Sequence, residues 1–280
     1  MEFANSARSR RPEGRRRLVE SVKPIRTALR TLNVLAELNI RSPASAATIA
    51  KALRMSRATT YRFLETLVDA GFVVKNPTTG HYSPTHLVRS LSCGYEDESW
   101  LVDCAKPIIG GLGQELVWPI AIATISGPGM LLRESTDVDS PLAINRFTPG
   151  RRVSLVGTAT GLVYLAFCGR QQRETLLDIL GHSDDPDDLP ARNRVALRKQ
   201  LAEIRNRQFA TAQRSRRLSS QNAIAVPVLT QNTHRVLASL SIRYSQTAVK
   251  ESAALERFLP RLQQAAISIG ESFGTLAPSN

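Results

Sequence analysis

The fold of the first third of this 280-residue chain is decided by one stretch, Ser56-Arg57-Ala58-Thr59-Thr60-Tyr61-Arg62-Phe63-Leu64-Glu65-Thr66-Leu67. Ser56 is a residue type that caps helix N-termini, and Gly71 is of the type that ends helices. Between them the inward-facing positions recur at helical spacing. They are Thr60, Phe63, Leu64, Leu67 and Val68. The stretch therefore predicts a capped, amphipathic helix.

Two helical patterns precede this helix, and a hairpin pattern follows it. The spacing predicts a first helix over 25–38 and a second over 45–53, the latter capped by Ser45. The first helix is expected to bury one apolar face, formed by Ile25, Ala28, Leu29, Leu32, Leu35 and Ala36. Residues 72–75 and 81–83 are strand-like, and the Asn-Pro-Thr-Thr-Gly sequence between them is typical of a turn. Three helices followed by a hairpin is the order of a winged helix-turn-helix.

The first turns of the third helix are crowded with basic and polar side chains, which would enter the major groove of duplex DNA. Arg57 and Arg62 are expected to contact bases or phosphates. Ser56 and Thr59 are expected to donate hydrogen bonds to phosphates, and Lys75 to contact DNA from the wing. The full set of candidate DNA-binding residues is Ser45, Ser56, Arg57, Ala58, Thr59, Thr60, Tyr61, Arg62 and Lys75.

Two alternatives stay open for this basic helix. Either arginine can instead form an ion pair with Glu65 or Asp69 on the same helix, since exposed helix pairs are common. The three helices can also be an ordinary bundle whose basic face is only solvated.

Positive charge is concentrated at the start of the chain. The net charge is +13, and residues 1–90 hold 16 Lys and Arg against 6 Asp and Glu, whereas the remaining residues hold 21 against 18. Such asymmetry is typical of a polyanion-binding module attached to a nearly balanced one. Residues 1–20 are Arg-rich without an apolar period, which predicts a disordered arm that either touches phosphates or stays solvated.

Cysteine usage and hydropathy favour a cytoplasmic protein. The three widely spaced cysteines, Cys93, Cys104 and Cys168, match no zinc or disulfide pattern. No apolar run approaches the ~18 residues that a membrane span needs, and the N-terminus lacks the apolar core of a secretion signal. We therefore expect a cytoplasmic protein without a membrane partner, associated with the nucleoid when bound to DNA.

The rest of the chain predicts a second domain of the α+β class. A winged helix-turn-helix domain at 21–85 is followed by a linker helix at 86–106, interrupted by Gly94, and by a second domain at 107–275. Strands are predicted over 120–126, 130–134, 142–147, 223–229 and 236–244. Helices are predicted over 107–116, 158–168, 171–180, 191–208 and 248–273, the last broken or restarted at Pro260. The irregular alternation with recurring hairpins indicates an antiparallel sheet.

Two parts of the chain carry a resemblance to a known family. They are residues 56–67 with Gly71-Phe72-Val73, and Pro149-Gly150-Arg151-Arg152 leading to residues 158–166, with residues 223–228 later. On these segments the chain resembles the IclR family of bacterial transcription regulators, over nearly its whole length from Val22 onward. The resemblance implies a GAF-like effector-binding domain with an antiparallel sheet. It also implies a homodimer or dimer of dimers on double-stranded operator DNA.

A finer resemblance points to one subgroup of that family. Residues 96–100, 117–119, 133–136 and 165–168 are most similar to regulators of hydroxyphenylpropionate degradation. This resemblance implies control of aromatic catabolism. However, Arg214, Arg216 and Arg217 stand where the family often has acidic residues, near the expected pocket entrance. Effector identity therefore stays open.

The family resemblance also implies a site for a small aromatic or short carboxylic acid. It falls on Thr158, Thr160, Gly161, Leu162, Ala223, Ser239, Ser241 and Arg243. A helix N-terminus can hold a carboxylate, Arg243 would add a charge partner, and the small Gly161 and Ala223 would leave room for a ring. The alternative is that residues 158–161 only cap a helix and that Arg243 is a solvated strand residue.

Catalysis and a bound cofactor are not expected. Gly157-Thr158-Ala159-Thr160-Gly161 has the spacing of a nucleophile elbow, but Ala159 stands where a hydroxyl or thiol is required. His182 lies beside several aspartates in a segment whose prolines mark a solvated loop rather than a metal site. One rival function stays open, which is a small-molecule sensor or dimerisation protein that binds nucleic acid only nonspecifically.

Overall fold

The computed structural model describes residues 25–94, 98–144, 147–213, 221–231 and 233–276. It separates into two compact units, with the division between Ser92 and Cys93. The predicted arm at 1–20 and the basic residues at 214–217 lie outside the described residues. Within the described ranges, no helix is both long and apolar enough to cross a membrane.

Three helices and a two-stranded hairpin form the N-terminal unit. They are α1 (Arg26–Arg41), α2 (Ala46–Leu53), α3 (Arg57–Asp69), β1 (Val73–Lys75) and β2 (Tyr82–Pro84). Backbone hydrogen bonds of 3.1 and 2.9 Å between Ala44 and Tyr82 tie the α1–α2 connection to β2. The core of this unit consists of Val34, Leu35, Leu38, Ala44, Ile49, Leu64, Leu67, Val73 and Tyr82. The predicted winged helix-turn-helix is confirmed.

Helix α1 buries a different face from the predicted one. Its buried residues are Val34, Leu35 and Leu38, so Leu35 is the one member of the predicted face that reaches the core. Ile25, Leu29 and Leu32 are 73 %, 50 % and 60 % exposed. The helix carries two apolar stripes, and its spacing does not tell which of them meets α2 and α3.

The stretch predicted as a linker helix contains two short helical segments. A 3₁₀ helix spans His86–Ser92, and a π-helix spans Trp100–Ala105. Gly94 lies between them, and residues 95–97 lie outside the described part of the chain. The π-helix continues directly into the first α-helix of the second unit.

A six-stranded antiparallel sheet forms the centre of the second unit. Its strands are β3 (Ile120–Ser126), β4 (Gly129–Ser135), β5 (Arg152–Ser154), β6 (Ala210–Gln213), β7 (Gln221–Leu229) and β8 (Val236–Ser245). Their order across the sheet is β5-β4-β3-β8-β7-β6. The helices are α4 (Lys106–Leu116), α5 (Ala159–Phe167), α6 (Arg170–Gly181), α7 (Arg194–Arg207) and α8 (Glu251–Leu276), and a 3₁₀ helix spans Pro186–Arg192. The predicted antiparallel α/β domain is confirmed.

The sheet separates two layers of helices, because side chains alternate along each strand. Ile242 and Leu240 of β8 belong to the apolar cluster that includes residues of α4 and α8. The other face packs against α5 through small residues such as Ala121 and Ala225. The residues of β8 on this second face, Ser239, Ser241 and Arg243, are buried.

Two predicted elements of this unit differ from the structure, and two observed strands have no counterpart in the prediction. Residues 141–144 form turns rather than a strand, and Leu142 and Ile144 are 40 % and 54 % exposed, so their alternation only mimics a buried strand. The edge strand is instead β5, and β6 was not predicted. Helix α8 continues through Pro260, because the fully buried Phe258 and Leu262 on either side hold both halves against the sheet.

Candidate functional site

The N-terminus of α3 is fixed by a serine–threonine cap. The Ser56 Oγ accepts a hydrogen bond from the Thr59 backbone N–H at 3.1 Å and donates its own proton to Thr59 Oγ1 at 2.7 Å. Ser45 caps α2 in the same way, accepting from the Thr48 N–H at 3.2 Å. The Ser56 proton is therefore engaged within the cap, whereas the Thr59 hydroxyl still has a proton that it can donate to a phosphate.

An exposed face of α3 carries the two predicted arginines. Arg57, Ala58, Tyr61 and Arg62 are all exposed. Within the described ranges no ion pair involves either arginine, so the predicted alternative of pairing along the helix is not observed there. Both guanidinium groups stand clear of the core, as contact with a polyanion requires.

Thr60 must be removed from the candidate DNA contacts. Its relative exposure is 0 %, and its hydroxyl donates to the backbone carbonyl of Ser56 at 3.0 Å. The helical period that places Thr60 beside Leu64 in the inward stripe excludes it from the outer face.

Lys75, predicted to contact DNA from the wing, is engaged on the helix side instead. Its Nζ lies 3.0 Å from Glu65 Oε1, 5.0 Å from the ring centroid of Tyr61 and 5.4 Å from that of Tyr82. Glu65 Oε1 also accepts a hydrogen bond from the Tyr82 hydroxyl at 2.6 Å. The alternation of side chains along β1 indicates this inward orientation of Lys75. Val73 is buried and Val74 is exposed, so Lys75 lies on the same inward face as Val73.

The Glu65 contacts change the proton affinity of the groups involved. The hydrogen bond from Tyr82, and after it the hydrogen bond from Lys75, lower the pKa of Glu65. The hydrogen bond to Glu65 is also the main cause that raises the pKa of Lys75. Burial first, and then the hydrogen bond to Glu65, raise the pKa of Tyr82. At neutral pH this is a carboxylate paired with an ammonium group.

The tip of the wing is an exposed turn. Asn76 Oδ1 accepts hydrogen bonds from the backbone N–H groups of Thr78 and Thr79 at 2.9 and 3.0 Å. Gly80 has φ +67°, a conformation that favours glycine. All five residues of the turn, 76–80, are exposed. Thr78 is therefore an exposed hydroxyl-bearing residue in a hydrogen-bonded turn.

A cavity opens in the second unit between the sheet and the N-terminus of α5. Its empty volume is about 440 Å³ with the mouth included. Its lining is Ala121, Leu132, Phe147, Val153, Thr158, Ala159, Thr160, Ala212, Ala223, Ser241 and Arg243. Five predicted effector-site residues are among them, namely Thr158, Thr160, Ala223, Ser241 and Arg243.

The N-terminus of α5 presents two backbone donors at this cavity. Thr158 Oγ1 accepts from the Gly161 N–H at 3.1 Å and donates to the Ser154 carbonyl at 2.7 Å, so it is a true cap. Across the part of the chain that the structure covers, no acceptor is found for the N–H groups of Ala159 and Thr160. Two unpaired donors at the positive end of a helix form a place for an anion.

Three predicted effector residues do not line the cavity. A Cβ on Gly161 would lie 2.3 Å from the Leu155 Cα, so glycine is required there by close backbone packing rather than by space for a ring. Leu162 is part of the apolar core. Ser239 is fully buried on the same sheet face as Ser241, and among the described residues its Oγ has no hydrogen-bond partner.

Arg243 is paired with a carboxylate that the sequence analysis missed. Its guanidinium forms an ion pair with Asp137, whose side chain is 0 % exposed. Asp137 also accepts a hydrogen bond from the Phe147 N–H at 2.7 Å, and it is bonded to the Ser135 hydroxyl. Burial, partly offset by Asp137, lowers the pKa of Arg243. The sequence carries no local signal for this pair, because Asp137 and Arg243 are 106 positions apart.

Phe147 joins this pair to a second arginine. The guanidinium carbons of Arg151 and Arg243 each lie 4.1 Å from the centroid of its ring. One end of the cavity is thus aromatic and cationic, whereas its sides are formed by small or aliphatic residues. In the described ranges there is no cluster of three or more His, Cys, Asp or Glu that could hold a metal ion.

Family models match both units. Residues 27–77 match the IclR helix-turn-helix domain, and residues 95–271 match the bacterial transcriptional regulator IclR C-terminal domain. The chain belongs to the IclR family. It is therefore a DNA-binding transcriptional regulator with a C-terminal ligand-binding domain, and not an enzyme.

Relatives of known name are similar over most of this IclR-family regulator. It is 26 % identical over 249 residues to the probable transcriptional regulator SauR of Cupriavidus necator, covering 88 % of this chain and 95 % of SauR. It is 25 % identical over 236 residues to the HTH-type transcriptional regulator XynR of Escherichia coli. This match covers 81 % of this chain and 88 % of XynR.

Solved structures share the fold. The Thermotoga maritima IclR has a TM-score of 0.60 at 20 % identity, covering 90 % of this chain and 100 % of that one. An IclR homolog from Microbacterium hydrocarbonoxydans, complexed with 4-hydroxybenzoate, has a TM-score of 0.58 at 20 % identity, with coverage of 89 % and 99 %. The family models confirm the predicted family, and these structures confirm the predicted fold.

Proposed function

We propose that this IclR-family regulator binds a partly palindromic operator as a homodimer and changes its affinity for DNA when a small aromatic acid occupies the cavity of the second unit. The observation that carries this proposal is the cavity itself, which is apolar along its sides and rich in hydrogen-bond donors at one end. The genes under control of this operator would encode enzymes that degrade the acid.

The donors favour a carboxylate as the polar group of the effector. The unpaired N–H groups of Ala159 and Thr160 can bind its oxygens, and the helix dipole of α5 favours negative charge at that place. The hydroxyls of Thr160 and Ser241 are further polar groups of the lining.

The remaining lining favours a flat ring. Ala121, Ala212 and Ala223 are small lining residues on β3, β6 and β7, and Phe147 is the aromatic residue of the lining. The complex of the Microbacterium homolog with 4-hydroxybenzoate supports an aromatic acid, and the finer sequence resemblance favours a hydroxyphenylpropionate. Arg243 would orient the ring or a second polar group, because Asp137 already balances its charge.

The second apolar stripe of α1 supports dimerisation. Ile25, Leu29 and Leu32 are exposed on one helix, and Leu87 and Leu91 of the same unit are 43 % and 60 % exposed. Large exposed apolar residues on one helix are typical of an interaction surface. A two-fold dimer would present two α3 helices to half-sites about 34 Å apart, and two dimers could pair on longer sites. Sedimentation of Leu29→Glu against the unmodified chain tests this, and an unchanged mass would contradict it.

Calorimetry on the full-length chain tests the effector proposal. The ligands are 4-hydroxybenzoate and 3-(4-hydroxyphenyl)propionate, and their primary amides are matched controls without the charge. At a ligand concentration of 100 Kd, an acid should stabilise the second unit by about 2.7 kcal/mol. The amides should bind more weakly. If neither acid shifts the unfolding of the chain, the aromatic-acid proposal is wrong.

A further inference from the structure

A polar joint connects the recognition helix to both strands of the wing. We use the term polar joint for Glu65, Lys75 and Tyr82. Glu65 lies in the middle of α3, and its Oε1 accepts hydrogen bonds from Lys75 Nζ at 3.0 Å and from the Tyr82 hydroxyl at 2.6 Å. One carboxylate oxygen thus receives a donor from β1 and a donor from β2.

The positions of the two donors constrain the geometry of the polar joint. Lys75 and Tyr82 are direct cross-strand partners, so both side chains leave the hairpin on the same face. Tyr82 is 1 % exposed, and its backbone is bonded to Ala44 in the α1–α2 connection. The joint therefore fixes α3 relative to the wing and to the preceding turn at one point.

Lys75 is held from a further side. Its ammonium group lies 5.0 Å from the ring centroid of Tyr61, which is one turn before Glu65 on α3 and 46 % exposed. The ammonium group thus donates one of its three N–H groups to the carboxylate and faces an aromatic ring of α3. The wing turn at 76–80, in contrast, is exposed along its whole length.

We infer that Glu65 is a positioning residue for DNA binding, and that Lys75 and Tyr82 act through it to set the angle between the recognition helix and the wing. Contacts to phosphates from the wing then come from its tip, where the Thr78 hydroxyl is accessible. Operator affinity depends on this angle because a rigid helix and a rigid turn must meet the groove and the backbone at the same time.

A double-mutant cycle tests this role in the full-length chain. The probe is a labelled duplex that the chain itself selects from a random-sequence pool, and the competitor is a scrambled duplex of the same composition. Glu65→Gln and Lys75→Met should each lower affinity for the selected duplex about tenfold, which corresponds to about 1.4 kcal/mol. The double variant should lie within about twofold of either single variant, because both changes break the same joint.

Salt dependence separates positioning from phosphate contact. In the positioning role, the slope of log K against log salt stays at the wild-type value for Lys75→Met, and the ratio of selected to scrambled affinity falls. A phosphate contact would lower the slope by about 0.9 and weaken both duplexes alike. That result for Lys75→Met, with Glu65→Gln binding like the wild type, would overturn the inference.

Asp69→Asn is the matched control, since it also converts an α3 carboxylate to an amide but lies outside the joint. It should bind within about twofold of the wild type, the scale expected for a surface change. If Asp69→Asn weakens binding as much as Glu65→Gln, general electrostatics explain the effect and the inference fails. Tyr82→Phe, which removes one hydroxyl, repeats the measurement should Glu65→Gln not fold, as judged by circular dichroism.

Discussion

Each unit of this regulator contains an acid–base pair that joins distant parts of the chain, and the two pairs differ in burial. In the N-terminal unit, Glu65 and Lys75 have side chains 35 % and 36 % exposed. In the second unit, Asp137 is 0 % exposed and Arg243 is 10 % exposed. The same chemistry therefore has different consequences. Removal of one partner of the buried pair is costly, because it leaves the other charge without solvent, whereas the exposed pair fixes geometry at little energetic cost.

Removal of Asp137 should have the largest effect on stability. Asp137→Ala leaves the Arg243 guanidinium buried without its counter-charge and the Phe147 N–H without its acceptor. We expect the free energy of unfolding of the second unit to fall by about 3–5 kcal/mol. Urea unfolding followed by Trp fluorescence measures it, because Trp100 and Trp118 are both in the core of that unit. A loss below about 1 kcal/mol would show that the two pairs do not differ as we describe.

Gly161→Ala should destabilise the same unit by a smaller amount. The new Cβ would lie 2.3 Å from the Leu155 Cα, and backbone atoms cannot move aside as a flexible side chain can. Overpacking of this kind costs about 1–3 kcal/mol. Gly111→Ala is the matched control, because nothing lies within 4 Å of its added Cβ. Thermal unfolding of both variants is compared, and equal midpoints would contradict the packing explanation.

Arg62→Ala should change DNA binding without a change in folding. Arg62 is exposed on α3, so the free energy of unfolding should stay within about 0.5 kcal/mol of the wild-type value. If its guanidinium contacts a phosphate, the slope of log K against log salt should fall by about 0.9. Fluorescence anisotropy titrations at several salt concentrations give this slope. An unchanged slope would exclude a phosphate contact for Arg62.

The smallest effect concerns pH. The contacts from Tyr82 and Lys75 lower the pKa of Glu65 below its ordinary value of 4.5. A lowered carboxyl pKa in the folded state adds stability that is present above pH 4.5 and is lost as the pH falls through the folded-state pKa. Because Glu65 is partly exposed, the N-terminal unit should lose only little stability in that range. Glu65→Gln should remove this part of the pH dependence, and an unchanged acid profile would contradict it.

The sequence sufficed for the elements whose causes are local. The caps at Ser45 and Ser56 are predictable because a cap needs only its own side chain and a backbone N–H three positions later. It did not suffice for the edge strand β5, which is short and starts with a charged residue, or for the course of α8 through Pro260. Those features depend on packing partners far away in the chain.

Sequence alone thus determined the order of helices and wing, the caps, the antiparallel hairpins and the family, because periodicity and capping act within a few residues. Only the tertiary structure decided which stripe of α1 is buried. It also decided that Lys75 binds Glu65 and that Arg243 binds Asp137. The physical reason is that an ion pair requires two side chains to meet in space, and Asp137 and Arg243 are brought together only by a strand order that places β8 beside β3.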